Sequence, residues 1–347
     1  MKKTCIFVIA LLCIQLNAHG QSVSTLKGSI VVTDYEGRIV TLPGEARRIV
    51  SLVPSALRIL VQVGAADRIV AVDRKSLAAK DGMLPFIARP GLAALPVVGD
   101  RKEPNLEAIL SLSPDLVITT STADKADAMQ RALGIPVVCV TSEPDEDYEI
   151  IRIIGTVAGA SKRAEELIGF LSDMSADLKQ RVDSVPEGKR KRVYLGLFTN
   201  CGRFTQTMPV YQSLVIAGGV NVAADVKAST SWGSVEINKE RIIAWDPEIV
   251  FVDWLEKPSY LPRERFISDP EFSLVSASRN GRVYYSQTSH DGKDYAASMA
   301  EAYYMASILY PEIVPPAEAD RVAEIIFSVV YGLPGYYAEW VRSYGIQ

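Results

Sequence analysis

The stretch NLEAILSLSPDLVI, Asn105 to Ile118, recurs 133 residues later as NKERIIAWDPEIVF, Asn238 to Phe251. Five of the fourteen positions are identical and most of the others keep their class. Each copy reads as an Asn N-cap, a Glu in the first turn where the helix dipole favours it, and a short apolar helix. A proline then stops the helix and a buried strand follows. A second echo precedes each copy: LVQVGAADRIVAV from Leu60 and LVIAGGVNVAAD from Leu214. Two similar α/β lobes in one chain are the simplest reading.

The rest of the chain fits that frame. Short apolar runs, RIVSLV, RIVAV, DLVITT and IPVVCV, alternate with helical patterns, which predicts βα units and a mostly parallel sheet. The same rhythm resumes in RVYLGLF, EIVFVD and RVYYSQ. Between the two series, Tyr148 to Val185 carries apolar residues at three- and four-residue spacing, which predicts one long helix. The expected domains are a signal peptide over 1–20, a β-hairpin around Tyr35-Glu36-Gly37 over 21–47, and an α/β lobe over 48–147. An interlobe helix over 148–188, a second α/β lobe over 189–312 and C-terminal helices over 313–347 complete the chain.

The N-terminus has Lys2, Lys3, an apolar run from Ile6 to Ile14 and the small residues Ala18 and Gly20, the layout of a secretory signal peptide. Bulky Leu12 before Cys13 makes a poor lipobox, so lipid anchoring is not expected. Loss of residues 1–20 moves the net charge from −4 to −6. With no basic run, that charge argues against nucleic acid as a partner. Cys139 and Cys201 remain; Cys139 reads as an inert core thiol, and spacing leaves a disulfide between the two undecided.

No nucleophile elbow, dinucleotide or phosphate-binding glycine motif, or His-Glu-x-x-His pair is present. One histidine, His290, survives signal removal, which leaves no histidine-based triad or multi-histidine metal site within one chain. The sequence reads as a binder, with no enzyme activity and no resident cofactor expected. An exported hydrolase using carboxylates is the alternative from another class, and it predicts turnover instead of stoichiometric binding.

The runs RIVSLVPSALRILVQVGAADRIVAVD, LPVVGDRKEPNLEAILSLSPDLVI and WGSVEINKERIIAWDPEIVFVD resemble the class III periplasmic substrate-binding proteins of ABC importers. The resemblance covers essentially the whole mature chain. It implies two α/β lobes joined by one long rigid helix, a ligand cleft between them, and cargo such as ferric siderophores, haem, vitamin B12 or molybdate. It also implies a monomer that reaches the membrane only through a permease and its ATPase subunits. In the family a glutamate on each lobe docks onto permease arginines; the matching positions are Glu107 and Glu240.

Ligands of open α/β sheets bind outside the carboxyl ends of strands. Those loops supply the candidate ligand-binding residues Ser55, Arg58, Arg74, Thr120, Arg203, Tyr211, Trp232, Trp254, His290 and Tyr295. Arg58 stands where the commoner family pattern has a glutamate, and with Arg74 and Arg203 it favours an anion. Phe204 and the tryptophans offer aromatic walls. An iron(III) chelate is the expected ligand, molybdate or tungstate the next, vitamin B12 or haem after that.

Overall fold

The computed structural model describes residues 15–16, 22–26, 28–141, 147–197, 203–230, 233–253, 261–287 and 294–343. They fall into two compact units, residues 1–78 with 91–165 and residues 79–90 with 166–347. The expected interlobe segment 148–188 is divided between the two units after Glu165, and residues 79–90, expected in the first lobe, group with the second unit. There the helix Leu84–Ala88 packs on the helix Pro316–Tyr331.

The first unit opens with an antiparallel sheet of Gln15–Leu16, Ser22–Leu26, Ser29–Thr33 and Ile39–Leu42. The last two form the expected hairpin, turning at Gly37 with φ 76°. Buried Asp34 holds that turn, accepting the backbone N–H groups of Glu36 and Arg38 and the Arg38 guanidinium. The same carboxylate accepts the N–H of Cys139 at 3.0 Å, tying the hairpin to the neighbouring parallel sheet.

That parallel sheet runs in the order Ile69–Ala71, Ile49–Ser51, Leu116–Thr119, Val137–Cys139. The second unit has Val220–Asn221, Arg192–Gly196, Ile249–Val252 and Val283–Tyr285, again all parallel. Numbered along each unit, both sheets have the strand order 2-1-3-4. The quoted repeat supplies the third strand each time, and every residue of both strands, Leu116–Thr119 and Ile249–Val252, is buried, as the sequence pattern required.

The repetition extends to single hydrogen bonds. Asn105 Oδ1 accepts from the Ala108 N–H at 3.0 Å, and Asn238 Oδ1 from the Arg241 N–H at 2.9 Å, so both N-caps form as predicted. Ser113 and Asp246 stand before the two prolines, and each has a left-handed backbone with φ 47° and 43°. Asp115 accepts the N–H of Arg48 and Glu248 that of Arg192. Each arginine then returns its guanidinium to the end of the repeated helix, at the carbonyl of Leu112 or Trp245.

The long helix differs from expectation. It is two helices, Glu149–Val157 and Ser161–Val182, broken at Ala158–Ala160. Gly159 has φ +60°, a backbone conformation that residues with a Cβ rarely adopt, and a Cβ there would also displace the Glu45 side chain. The longer helix carries the chain from the first unit into the second, between Glu165 and Glu166.

Cys139 is buried and free. Its thiol donates to the Ser121 carbonyl at 3.3 Å, and burial first, then the Asp34 carboxylate, pushes its pKa up to about 12. Thiolates, not thiols, react. Iodoacetamide at pH 8 is therefore expected to leave Cys139 unmodified in the folded protein and to alkylate it after unfolding. Peptide mass mapping reads both, and modification of the folded protein would contradict the burial.

Candidate functional site

At the carboxyl end of Ile49–Ser51 the chain turns through Val53 into the helix Pro54–Gln62. Pro54 sits at its first position and no side chain caps it. Residues Ser55 to Gln62 are all buried. Among apolar neighbours, Ser55, Arg58 and Gln62 recur at three- and four-residue spacing and therefore share one helix face. Arg58, expected near the ligand, is 2% exposed, so it is no solvated surface arginine.

The Ser55 Oγ is buried and has no hydrogen-bond partner. The adjacent strand, Leu116–Thr119, ends in a similar way: Thr119 Oγ1 lies 3.2 Å from Ser121 Oγ, while Thr120 Oγ1 is buried without a partner. The two strands pair in register, Ser51 opposite Ile118. The same end of one sheet thus carries two desolvated hydroxyls with nothing to bond. Leaving a buried hydroxyl unbonded costs about 1–3 kcal/mol, and such groups ask for a reason. Arg74 follows the edge strand Ile69–Ala71 and is exposed. Asp73 beside it is spent on its own helix, accepting the Ser76 N–H at 2.9 Å and the Ser76 hydroxyl. Burial raises the Asp73 pKa despite those bonds.

The second unit treats its candidates differently. Arg203 is exposed. Phe204, expected as an aromatic wall, is a core residue instead: its ring stands edge-on to Phe266 and Phe272, and its carbonyl accepts the Tyr194 hydroxyl at 2.7 Å. Tyr211 is 4% exposed and donates to Glu301 Oε2 at 2.8 Å. Burial first, and the Glu301 carboxylate second, hold its pKa well above the usual tyrosine range. Tyr295 is 7% exposed at the start of the helix Tyr295–Leu309. Trp232, Trp254 and His290 lie outside the described residues, as does Cys201.

Glu107 and Glu240 are both exposed, each two residues after its Asn cap. Neighbouring Lys239 is fixed by Asp269 and Glu271 at 2.7 Å each and lies over the Phe272 ring. Sequence reasoning missed Asp294, Gln287, Glu301, Tyr331 and Tyr337, a buried polar group in the second unit. The available signal was Glu301, the one charge in the run YAASMAEAYYMASIL. Among the described residues no three His, Cys, Asp or Glu side chains gather as a metal site, and no helix is long and apolar enough to cross a membrane.

The family model described as periplasmic binding protein matches residues 49–288. An ABC transporter substrate-binding lipoprotein of Bacillus subtilis, YvrC, is 26% identical over 264 residues, 74% of this chain and 77% of that protein. The molybdate-binding protein MolA of Haemophilus influenzae is 25% identical over 336 residues, 87% of this chain and 90% of MolA. The Fe(3+)-citrate-binding protein YfmC of Bacillus subtilis is 25% identical over 268 residues, 77% of this chain and 81% of YfmC. Among solved structures, a periplasmic solute binding protein from Veillonella parvula superimposes with a TM-score of 0.74 at 20% identity, covering 90% of this chain and 96% of that one. With both βα units, the helix that links them and the matched region in agreement, the chain belongs to the periplasmic binding protein family, in its class III, and is the substrate-binding component of an ABC transporter.

Proposed function

We propose that the cargo is a small anion that presents bare oxygens, captured in part by the first unit's strand ends and delivered to a permease. The observation that carries this reading is the pair of buried, unpartnered hydroxyls of Ser55 and Thr120 on neighbouring strands. A hydroxyl with no acceptor is a donor in waiting, and an anionic oxygen is its strongest partner. Arg58 shares the helix face of Ser55 and adds positive charge, and the helix start at Pro54 adds first-turn N–H groups.

An iron(III) chelate with carboxylate or similar oxygens is the first reading, in line with the Fe(3+)-citrate-binding relative. Molybdate is the second, favoured by the buried arginine and by the molybdate-binding relative, which matches the larger share of both chains. Trp232, Trp254, His290 and Tyr295 remain the proposed contacts from the second unit. In this reading the protein is an exported monomer with no enzymatic turnover. It meets the membrane through the permease and its ATPase subunits, docked by Glu107 and Glu240.

The test is a tryptophan-fluorescence titration of residues 21–347 with ferric citrate and sodium molybdate. Cyanocobalamin and haemin run alongside, corrected for their absorbance. Saturation by ferric citrate or molybdate is expected. Saturation by cobalamin or haemin alone would overturn the oxygen-anion reading.

A further inference from the structure

The two copies of the repeat differ beside their glutamates. Glu107 is flanked by Leu106 and Ala108, which pack against the core of the first unit. Glu240 is flanked by Lys239 and Arg241, two cations where the first copy has none. A lysine in the place of an inward-packing leucine keeps its stem on apolar surface and needs partners for its head. Lys239 is partly buried, and its ammonium lies over the ring of buried Phe272, 4.9 Å from the centroid. Asp269 Oδ2 and Glu271 Oε2 each accept from it at 2.7 Å.

Asp269 does not depend on the lysine for its place. Its Oδ1 accepts the N–H groups of Glu271 at 2.9 Å and Phe272 at 3.3 Å, in the turn that leads into Phe272–Leu274. Burial works against the Lys239 charge, but the two carboxylates outweigh it and hold its pKa above the usual lysine range. Arg241, the other flanking cation, lies over the Trp245 ring at 5.0 Å. Both positive charges next to Glu240 are thus engaged within the second unit, while Glu240 itself is exposed. A lone exposed ion pair holds a lysine weakly, whereas two acceptors and a ring restrict it to one place. That restriction matters on a surface read by charge. A free lysine is a mobile point charge, and it repels the guanidinium that an adjacent carboxylate attracts.

We propose that Asp269 and Glu271 are positioning residues for docking: they hold the Lys239 ammonium away from the partner arginine that Glu240 receives. This deepens the reading of Glu240 as a permease contact and rests on it. The two carboxylates act through Lys239 and touch no partner themselves. The first copy, with no cation beside Glu107, needs no such pair.

The experiment starts from Asp269→Asn with Glu271→Gln, a double variant that keeps an acceptor for the turn at position 269. It is compared with the same double variant carrying Lys239→Met, and with Glu240→Gln alone. Competitive acetylation of Lys239 by acetic anhydride, read by peptide mass mapping, is expected to accelerate severalfold in the double variant, because its ammonium is no longer held charged. Cells carrying that variant are tested for uptake of iron or molybdenum, whichever the parent protein binds as ferric citrate or molybdate. Uptake is expected to fall at least about fivefold, the factor that about 1 kcal/mol carries. Ligand affinity is expected to stay at the parent level, and Lys239→Met to restore most of the uptake. Unchanged acetylation would overturn the clamp. Faster acetylation with parent uptake would make the ion pairs structural only. Uptake lost but not restored by Lys239→Met would make the carboxylates direct contacts, and either result would overturn the proposal. Parent uptake in Glu240→Gln would instead contradict the docking reading, while acetylation would still decide how Lys239 is held.

Discussion

Ser55→Ala is expected to raise the stability of the ligand-free protein while weakening its ligand, two effects of opposite sign from one oxygen. Ser55 is 8% exposed and its buried hydroxyl has no partner, so folding bears its desolvation without return. Deleting it recovers up to about 1–3 kcal/mol, and the small cavity left takes some of that back. In the proposed complex the same hydroxyl would donate to an anionic oxygen, a bond worth about 1.5–3 kcal/mol, so affinity is expected to fall roughly 10–150-fold. Thr120→Val keeps the shape of the side chain and is expected to behave alike. Calorimetry of the free variants and titration of the same samples measure both signs. If stability and affinity fell together, the hydroxyls would be bonded inside the protein and the site would lie elsewhere. Arg58→Ala should also weaken an anion by about 1.5–3 kcal/mol, but removal of a side chain this buried costs packing as well, so it separates the readings less cleanly.

Glu107→Lys together with Glu240→Lys is expected to abolish transport and leave ligand affinity and fold intact. Both carboxylates are exposed on helices capped by an asparagine, and the two helices are copies of one element. A partner that reads one copy by charge has the other available in the same chemical form. Reversal turns two attractions into repulsions, and like charges facing across an interface cost several kcal/mol. Within the protein the loss is small, about 0.3–1 kcal/mol per first-turn acid, because solvent screens both. Uptake in cells, alongside affinity and melting temperature of the purified variant, separates the outcomes. Lost affinity would contradict the docking role, and unimpaired uptake would end it.

The repeat was legible because it is made of local rules: an Asn cap, a first-turn acid, a proline stop and a buried strand. What the copies share beyond that, the bonds from Asp115 and Glu248 to the preceding arginine N–H groups, spans 67 and 56 residues and is invisible to spacing. The break at Gly159 was missed because the apolar period runs through it. The left-handed φ of Gly159, with the Glu45 side chain folded over it from 114 positions upstream, is a property of the folded backbone that the apolar spacing does not carry. Arg58 was flagged by type, but its burial depends on what covers the helix. The regular Ser55, Arg58, Gln62 spacing was the sequence signal for a polar stripe. Tyr211 and Phe204 show the opposite limit: aromatic type in a loop does not separate a ligand wall from a core ring when its partners, Glu301 and Phe266, lie far along the chain.

The most direct measurement is a crystal structure of residues 21–347 with whichever of ferric citrate or molybdate saturates the protein. The account predicts anionic oxygens of the ligand within about 2.5–3.0 Å of both Ser55 Oγ and Thr120 Oγ1. A ligand bound away from both hydroxyls, with Ser55 and Thr120 still unbonded or satisfied by protein atoms, would contradict it.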